Sequence, residues 1–372
     1  MKIERVRSQI VRLPADEPLA DGKSIPGATR DIVVVKLATK DGIEGLGVTF
    51  FGAALTGALK TAIDELGALI LGDDPRETER IADKLREAAG TSGPSGIFTL
   101  ALSAIDTALW DIRGKALGLP VAKLLGGYRD RVPAYASGAL MRTQSLDEVV
   151  AAARRLVERG WPAMKTQLAL PGGTWPEVEV ERIRRIREAI GPDIRLMCDI
   201  NQRWTVPEAI AIGERLEPYR LHWLEDVTVR DDYAGLARVA ARLATPIAGG
   251  EYVYGIAPFR HMLEARSVDF VMIDLVRVGG ITQWMKVAGM AEAFNRPVVS
   301  HLIPEVHVHL IAAIPNGHIV EYMPWTARLF EDPPMPVKGE MSVPSTPGLG
   351  LKFTRDIEAG FSLSPPAGRG SG

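Results

Sequence analysis

The chain has 372 residues, 46% of them hydrophobic, enough for two domains or for one barrel with an attachment. A formal net charge of −2 gives no case for nucleic acid or an acidic membrane as partner. Cys198, the single cysteine, excludes an internal disulfide; no apolar run approaches the roughly 20 residues of a membrane span, and MKIERVRSQI lacks a signal-peptide pattern, so a cytoplasmic protein is expected.

The first third reads as an α+β module. Residues 2–13 and 31–39 alternate as strands do, Lys40-Asp41-Gly42 supplies turn chemistry, and 43–51 pairs back as a hairpin. Helical patterns cover about 54–71, 75–89 and 97–117. The last carries Leu102, Ile105, Leu109 and Ile112 on one face, and Gly118 and Pro120 end it.

From about Val132 strands and helices alternate. Candidate strands end near Ser137, Gln167, Asn201, Glu225, Glu251, Asp274, His301 and Glu321, which makes the eight that a closed parallel barrel requires. An amphipathic helix is expected over 175–190. The expected fold is an α/β protein: a TIM-type barrel over 126–323, an α+β capping domain over 1–125, and a segment over 324–372 that returns to the cap. The tail SPPAGRGSG is expected to be disordered.

Three carboxylates stand out. Asp199 in LMCDIN, Glu225 in LHWLEDV and Glu251 in PIAGGEY each close a short apolar stretch, spaced by 26 residues, about one strand-plus-helix unit. In a parallel barrel their strand ends share one face, so three like charges converge. Unpaired, they repel and are costly to desolvate; a divalent cation removes the conflict, and hard oxygen ligands with open positions suit Mg²⁺.

Other side chains point to the same rim. Period two places Lys165 with Gln167 and Asp199 with Asn201, while Cys198 faces away as an inert thiol. His301 and Asp274 end neighbouring strands, and an Asp–His pair orients an imidazole and strengthens it as a base. Glu321 reads either as a hydrogen-bonded carboxylate or as a proton-bearing donor to a substrate anion, which requires a raised pKa. His307 and His309 lie two apart on a helix and do not share a side, so structural roles are expected. The glycines of DGIEGLG do not form a dinucleotide fingerprint, no phosphate-loop signature occurs, and no nucleotide cofactor is expected.

The segments SAIDTALWDIRGKALGLPVAKLLGG, AMKTQ, CDIN, WLED, GGE, DLVRVGGIT, SHLIPEVHVHL and HIVEYMPW, taken in order, resemble the enolase superfamily, and within it the mandelate racemase subgroup. The resemblance covers nearly the whole chain and implies a homo-oligomer. It implies that Asp199, Glu225 and Glu251 ligate Mg²⁺, that Lys165 contacts a substrate carboxylate, and that His301 with Asp274 is a general base. Glu321 would hydrogen-bond the other carboxylate oxygen, and Asn201 would lie near substrate and metal. Arg277, Phe50 and Phe51 are further expected pocket residues, and cap loops near 15–30 and 50–56, with Asp16, Lys23 and Arg30, would set specificity.

One departure matters. The second lysine of the family's Lys-x-Lys motif is a base on the opposite face of the substrate, and here that position is Gln167. An amide has no useful basicity near neutral pH. Racemisation normally needs two bases; elimination of water needs one. The expected activity is therefore Mg²⁺-dependent dehydration of a sugar acid to a 2-keto-3-deoxy acid. The alternatives are a racemase, epimerase or cycloisomerase on another α-proton acid, and a non-catalytic metal-binding barrel.

Overall fold

A computed structural model of the chain describes residues 1–17, 19, 28–93, 95–173 and 175–363. Lys23 and the tail from 364 lie outside the described residues.

Strands β1 (Ile3–Pro14), β2 (Thr29–Thr39) and β3 (Glu44–Thr49) form an antiparallel sheet, joined at the second turn by Gly42 at φ +79°. Helices α1 (Thr56–Leu69), α2 (Thr78–Ala89) and α3 (Ile97–Leu117) follow. Gly45 and Gly47 of β3 let the backbone of α3 lie on the sheet, because a Cβ at either would overlap the Ala108 or Ala104 carbonyl oxygen. Close helix approach is thus the use of the DGIEGLG glycines. Gly118, at φ +66°, ends α3 by returning its N–H to Lys115, and a one-turn helix α4 (Val121–Leu124) leads on.

Eight parallel strands then close a barrel: β4 (Arg131–Leu140), β5 (Ala163–Gln167), β6 (Arg195–Asp199), β7 (Trp223–Glu225), β8 (Ile247–Gly249), β9 (Phe270–Asp274), β10 (Val298–His301) and β11 (Gly317–Tyr322), with β11 pairing back onto β4. Between them run α5 (Leu146–Glu158), α6 (Pro176–Ile190), α7 (Val206–Leu216), α8 (Tyr233–Arg242), α9 (Ala257–Glu264), α10 (Leu275–Val278), α11 (Ile281–Ala293) and α12 (Pro304–Ala313). The barrel is filled by Tyr135, Ala163, Met197, Trp223, Ala248, Met272, Val299 and Ile319, all buried. Period two carries this layer upward. Two residues above Ala163, Met197, Trp223, Met272, Val299 and Ile319 stand Lys165, Asp199, Glu225, Asp274, His301 and Glu321. Cys198 belongs instead to the core between strands and helices, and burial pushes its thiol pKa far up.

Strand β12 (Glu340–Ser342) pairs antiparallel with the start of β4. The chain then passes the cap, where Leu349 N–H donates to Asp111, and ends in α13 (Arg355–Leu363), which receives hydrogen bonds from Arg7 and Gln9 of β1 at its Phe361 and Ile357 carbonyls. Among the described residues no helix is long and apolar enough to cross a membrane.

Candidate active site

The C-terminal ends of the barrel strands open on a cavity of about 410 Å³. Lys165, Gln167, Asp199, Asn201, Glu251, Arg277, His301 and Glu321 all line it. Glu225 is fully buried beside them. Phe51 lines the cavity, whereas Phe50 is buried in the core; neighbouring residues leaving a strand face opposite ways, which separates the two. Arg30 lays its guanidinium 3.8 Å above the ring of Trp325, a lining residue whose indole N–H donates to Glu17 at 2.9 Å, so the cap reaches the mouth through Trp325. Asp16, nearby in sequence, pairs with Arg328.

The loops that carry these groups are strained. Phe51, Asn201, Asp226 and Leu302 have φ of +75°, +49°, +44° and +54°. Such backbone costs roughly 1–3 kcal/mol per residue and persists where the surroundings enforce it. Gly250 sits at φ +127°, and a Cβ there would lie 2.5 Å from the Met272 carbonyl oxygen; only glycine lets the chain turn Glu251 into the cavity past β9.

Buried acids dominate the electrostatics. Among the described residues Glu225, Asp226 and Glu251 bring carboxylate oxygens within 4.8 Å of one another. Asp199, paired in register with Glu225, accepts the Asn201 N–H at 2.7 Å. Burial, with like charges adding, raises the pKa of Asp199 to about 6 and those of Glu225 and Asp226 far above the usual range. One oxygen each of Asp226 and Glu251 is buried without a hydrogen-bond donor. A divalent cation with oxygen preference fits this donor set, since it supplies the missing positive charge and takes the orphaned Glu251 oxygen. Asp226 was not singled out from the sequence; period two turns it away from the barrel interior, and the Gly250 N–H bonds to it there.

Lys165 is buried between Glu225 at 2.5 Å and Glu321 at 2.8 Å. Although burial opposes its charge, these two carboxylates hold its pKa well above normal. Its two partners shift oppositely. Glu225 goes up because it is buried and other acids crowd it, while Glu321, against the cost of burial, is held below the carboxylate range by Lys165, His301 and the Leu302 N–H. In this arrangement Glu321 meets the Lys165 ammonium and the Leu302 N–H, both of which favour its charged form.

His301 Nδ1 lies 2.6 Å from Asp274, and its Nε2 lies 3.3 Å from Glu251. Burial lowers the imidazole pKa, but Glu251, Asp274 and Glu321 together raise it. Asp274 is itself anchored by the N–H groups of Val276 and Arg277, and Arg277 donates to the Glu251 carbonyl at 2.9 Å while covering Phe51.

On the opposite wall the described residue at the second-lysine position is the amide Gln167. Gln167 Oε1 accepts from Arg142 Nε at 3.3 Å, and its amide nitrogen lies 3.4 Å from Asn201 Oδ1. Arg142 also bonds Asn201, whose Nδ2 meets the Tyr252 hydroxyl at 3.1 Å. Arg142 and Tyr252 carry no motif that could have flagged them. His307 and His309 are buried, bonded to the Leu302 and Leu349 carbonyls, away from the cavity.

Two family models match the chain: "Enolase C-terminal domain-like" over residues 148–357, and "Mandelate racemase / muconate lactonizing enzyme, N-terminal domain" over 25–126. The chain belongs to the enolase superfamily, mandelate racemase/muconate lactonizing enzyme subgroup. Among similar members is the L-talarate/galactarate dehydratase of Salmonella typhimurium, 32% identical over 99% of this chain and 93% of that one. The 3,6-anhydro-alpha-L-galactonate cycloisomerase of Streptomyces coelicolor is 34% identical over 94% and 96%. The crystal structure of L-talarate dehydratase from Polaromonas sp. JS666, complexed with Mg and L-glucarate, superposes with a TM-score of 0.88 at 33% identity, covering 96% of each chain.

Proposed function

We propose that this superfamily member is a Mg²⁺-dependent hydro-lyase that dehydrates a sugar acid to a 2-keto-3-deoxy acid. Glu225, Glu251 and Asp199 would hold the cation; Asp199 is preferred to Asp226 because it faces the cavity, while the Asp226 carboxylate is engaged by the Gly250 N–H. Bound Mg²⁺ would supply Lewis-acid stabilisation of charge developing on the substrate carboxylate.

Lys165 places an ammonium at that same carboxylate, where its persistent charge strengthens as the anion forms. Asp274 accepts a hydrogen bond from Nδ1–H of His301, which holds that proton there and leaves the lone pair of Nε2 to remove the proton on C2. The C–H electrons move onto the carboxylate. They then return to form the C2–C3 double bond as the C3 hydroxyl leaves, protonated by His301, as water. The enol product tautomerises to the keto acid. Gln167, locked by Arg142 and Asn201, returns no proton from the far side, so racemisation lacks its second base.

The single observation that carries this reading is the His301–Asp274 dyad in a cavity where, among the described residues, the position of the second lysine holds the immobilised amide of Gln167. The names of the dehydratase relatives support it. Cycloisomerisation is the second reading, supported by relatives 34% and 33% identical, with a ring oxygen leaving C3 in place of water. Screening aldonic, aldaric, anhydro and lactone acids with Mg²⁺ for 2-keto product separates the two. Product from no hydroxy acid by an enzyme that binds Mg²⁺ contradicts dehydration.

A further inference from the structure

A second cavity, of about 620 Å³, lies between the cap and the barrel. Its walls are largely apolar, with Phe98 and Leu102 from α3, Tyr233 at the start of α8 and Ile256 from the loop after β8. Two nitrogen donors on its lining are buried without an acceptor: Nε2 of Gln283, on α11, and one terminal nitrogen of Arg86, on α2. Gln283 is only 6% exposed, so bulk water does not reach it freely. The other Arg86 terminal nitrogen is 3.9 Å from Asp83, too far for a hydrogen bond, so Asp83 does not satisfy that guanidinium. Arg230 and Lys286 also line the cavity, but each faces a carboxylate, Asp231 at 3.6 Å and Glu79 at 2.7 Å, which leaves Arg86 and Gln283 as the donors without a partner.

A buried donor left unsatisfied favours an acceptor-only partner. A planar carboxylate answers an amide and a guanidinium donor together, and the volume suits a small ligand with an apolar body. The geometry points to a second ligand site at this seam, taking a small carboxylic acid with an aryl or alkyl tail. Tyr252 lines both this cavity and the catalytic one, so the new site abuts the wall that holds Asn201. The inference does not depend on which reaction the barrel catalyses.

The test uses the full chain with Mg²⁺ and 4-phenylbutyrate as probe, with 4-phenylbutanamide as its neutral counterpart, followed by calorimetry and ligand-observed NMR. The expected result is saturable binding of one acid per chain, at least about tenfold weaker for the amide. Gln283→Glu, which keeps shape but adds a negative charge, and Arg86→Met should each weaken the acid at least about tenfold, while Lys165→Met leaves it unchanged. Should a variant fail to fold, the acid and amide comparison on the unaltered protein still decides. Three results overturn the inference. One is loss of binding in Lys165→Met with none in the Gln283 and Arg86 variants, which locates the probe in the catalytic cavity. Another is equal binding of acid and amide. The third is no saturable binding up to millimolar probe, as when water alone or a second copy of the chain fills the space.

Discussion

The Asp274 carboxylate lies 2.6 Å from Nδ1 of His301, and this contact decides which ring nitrogen is free for chemistry. The other Asp274 oxygen is fixed by two N–H groups at the start of α10, so the carboxylate cannot swing away. Asp274→Asn would keep those two bonds but turn an amide N–H toward Nδ1. That forces the imidazole proton onto Nε2, the atom required to accept one. We expect turnover to fall by roughly 10²–10⁴-fold, the usual worth of a general base, with Mg²⁺ affinity retained. Steady-state kinetics alongside Mg²⁺ titration measures both.

Gln167→Lys restores an amine to the far wall, beside the Arg142 guanidinium. A neighbouring like charge lowers a lysine pKa and brings it toward use as a base. The variant is expected to exchange the C2 proton of recovered substrate with solvent, visible by NMR in D₂O, where the unaltered enzyme shows none from that face. Failure of exchange in a folded variant would mean that Gln167 does not face C2.

Asp199 and Asp226 compete for the third place around the cation. Asp199→Asn is expected to weaken Mg²⁺ at least about tenfold. Asp226→Asn should chiefly disturb the Gly250–Glu251 turn and lower stability with a smaller loss of affinity. Parallel Mg²⁺ calorimetry and thermal melts rank them, and the reverse order reassigns the ligand set.

His309 makes the pH dependence of stability testable away from the site. Its Nε2 contacts the Leu349 carbonyl at 3.0 Å and its Nδ1 receives the Ala122 N–H at 3.3 Å, an arrangement only the neutral ring can make. Burial lowers its pKa to about 4, while the unfolded chain titrates near 6.5. The stabilisation is therefore complete above about pH 6.5 and is lost as pH falls toward 4, amounting to about 2 kcal/mol by pH 5. Asp106 and Glu305, with pKa values raised by burial to about 7, act in the opposite sense over the same range. Comparing unaltered protein with His309→Gln in urea at pH 7 and pH 5 isolates the histidine, and the variant should lose less stability on acidification.

Much of this architecture is legible in the sequence because strands repeat every two residues. That rule places Lys165 above Ala163 and His301 above Val299, and it turns Cys198 outward. It also marks Phe50 and Phe51 as opposed without saying which faces the cavity. What the sequence hides is set by contacts between distant elements. Arg142 reaches Gln167 and Asn201 because β4 runs to Leu140, beyond the end expected near Ser137. Glu321 is held below the usual carboxylate range because Lys165 stands 2.8 Å away, on a strand 156 residues earlier in the chain. Asp226 joins the acid cluster through a left-handed backbone, which Asp tolerates better than most residues but does not by itself impose.

The account stands on one base acting from one side. The direct measurement is ¹H NMR of a turned-over sugar acid in D₂O with Mg²⁺, for the unaltered enzyme and His301→Asn. The expected result is a 2-keto-3-deoxy product formed by the first and not by the second, with no C2 deuteration of unreacted substrate from the Gln167 side. Substrate recovered with every hydroxyl intact and inverted or deuterated at C2, or undiminished product from His301→Asn, would contradict it.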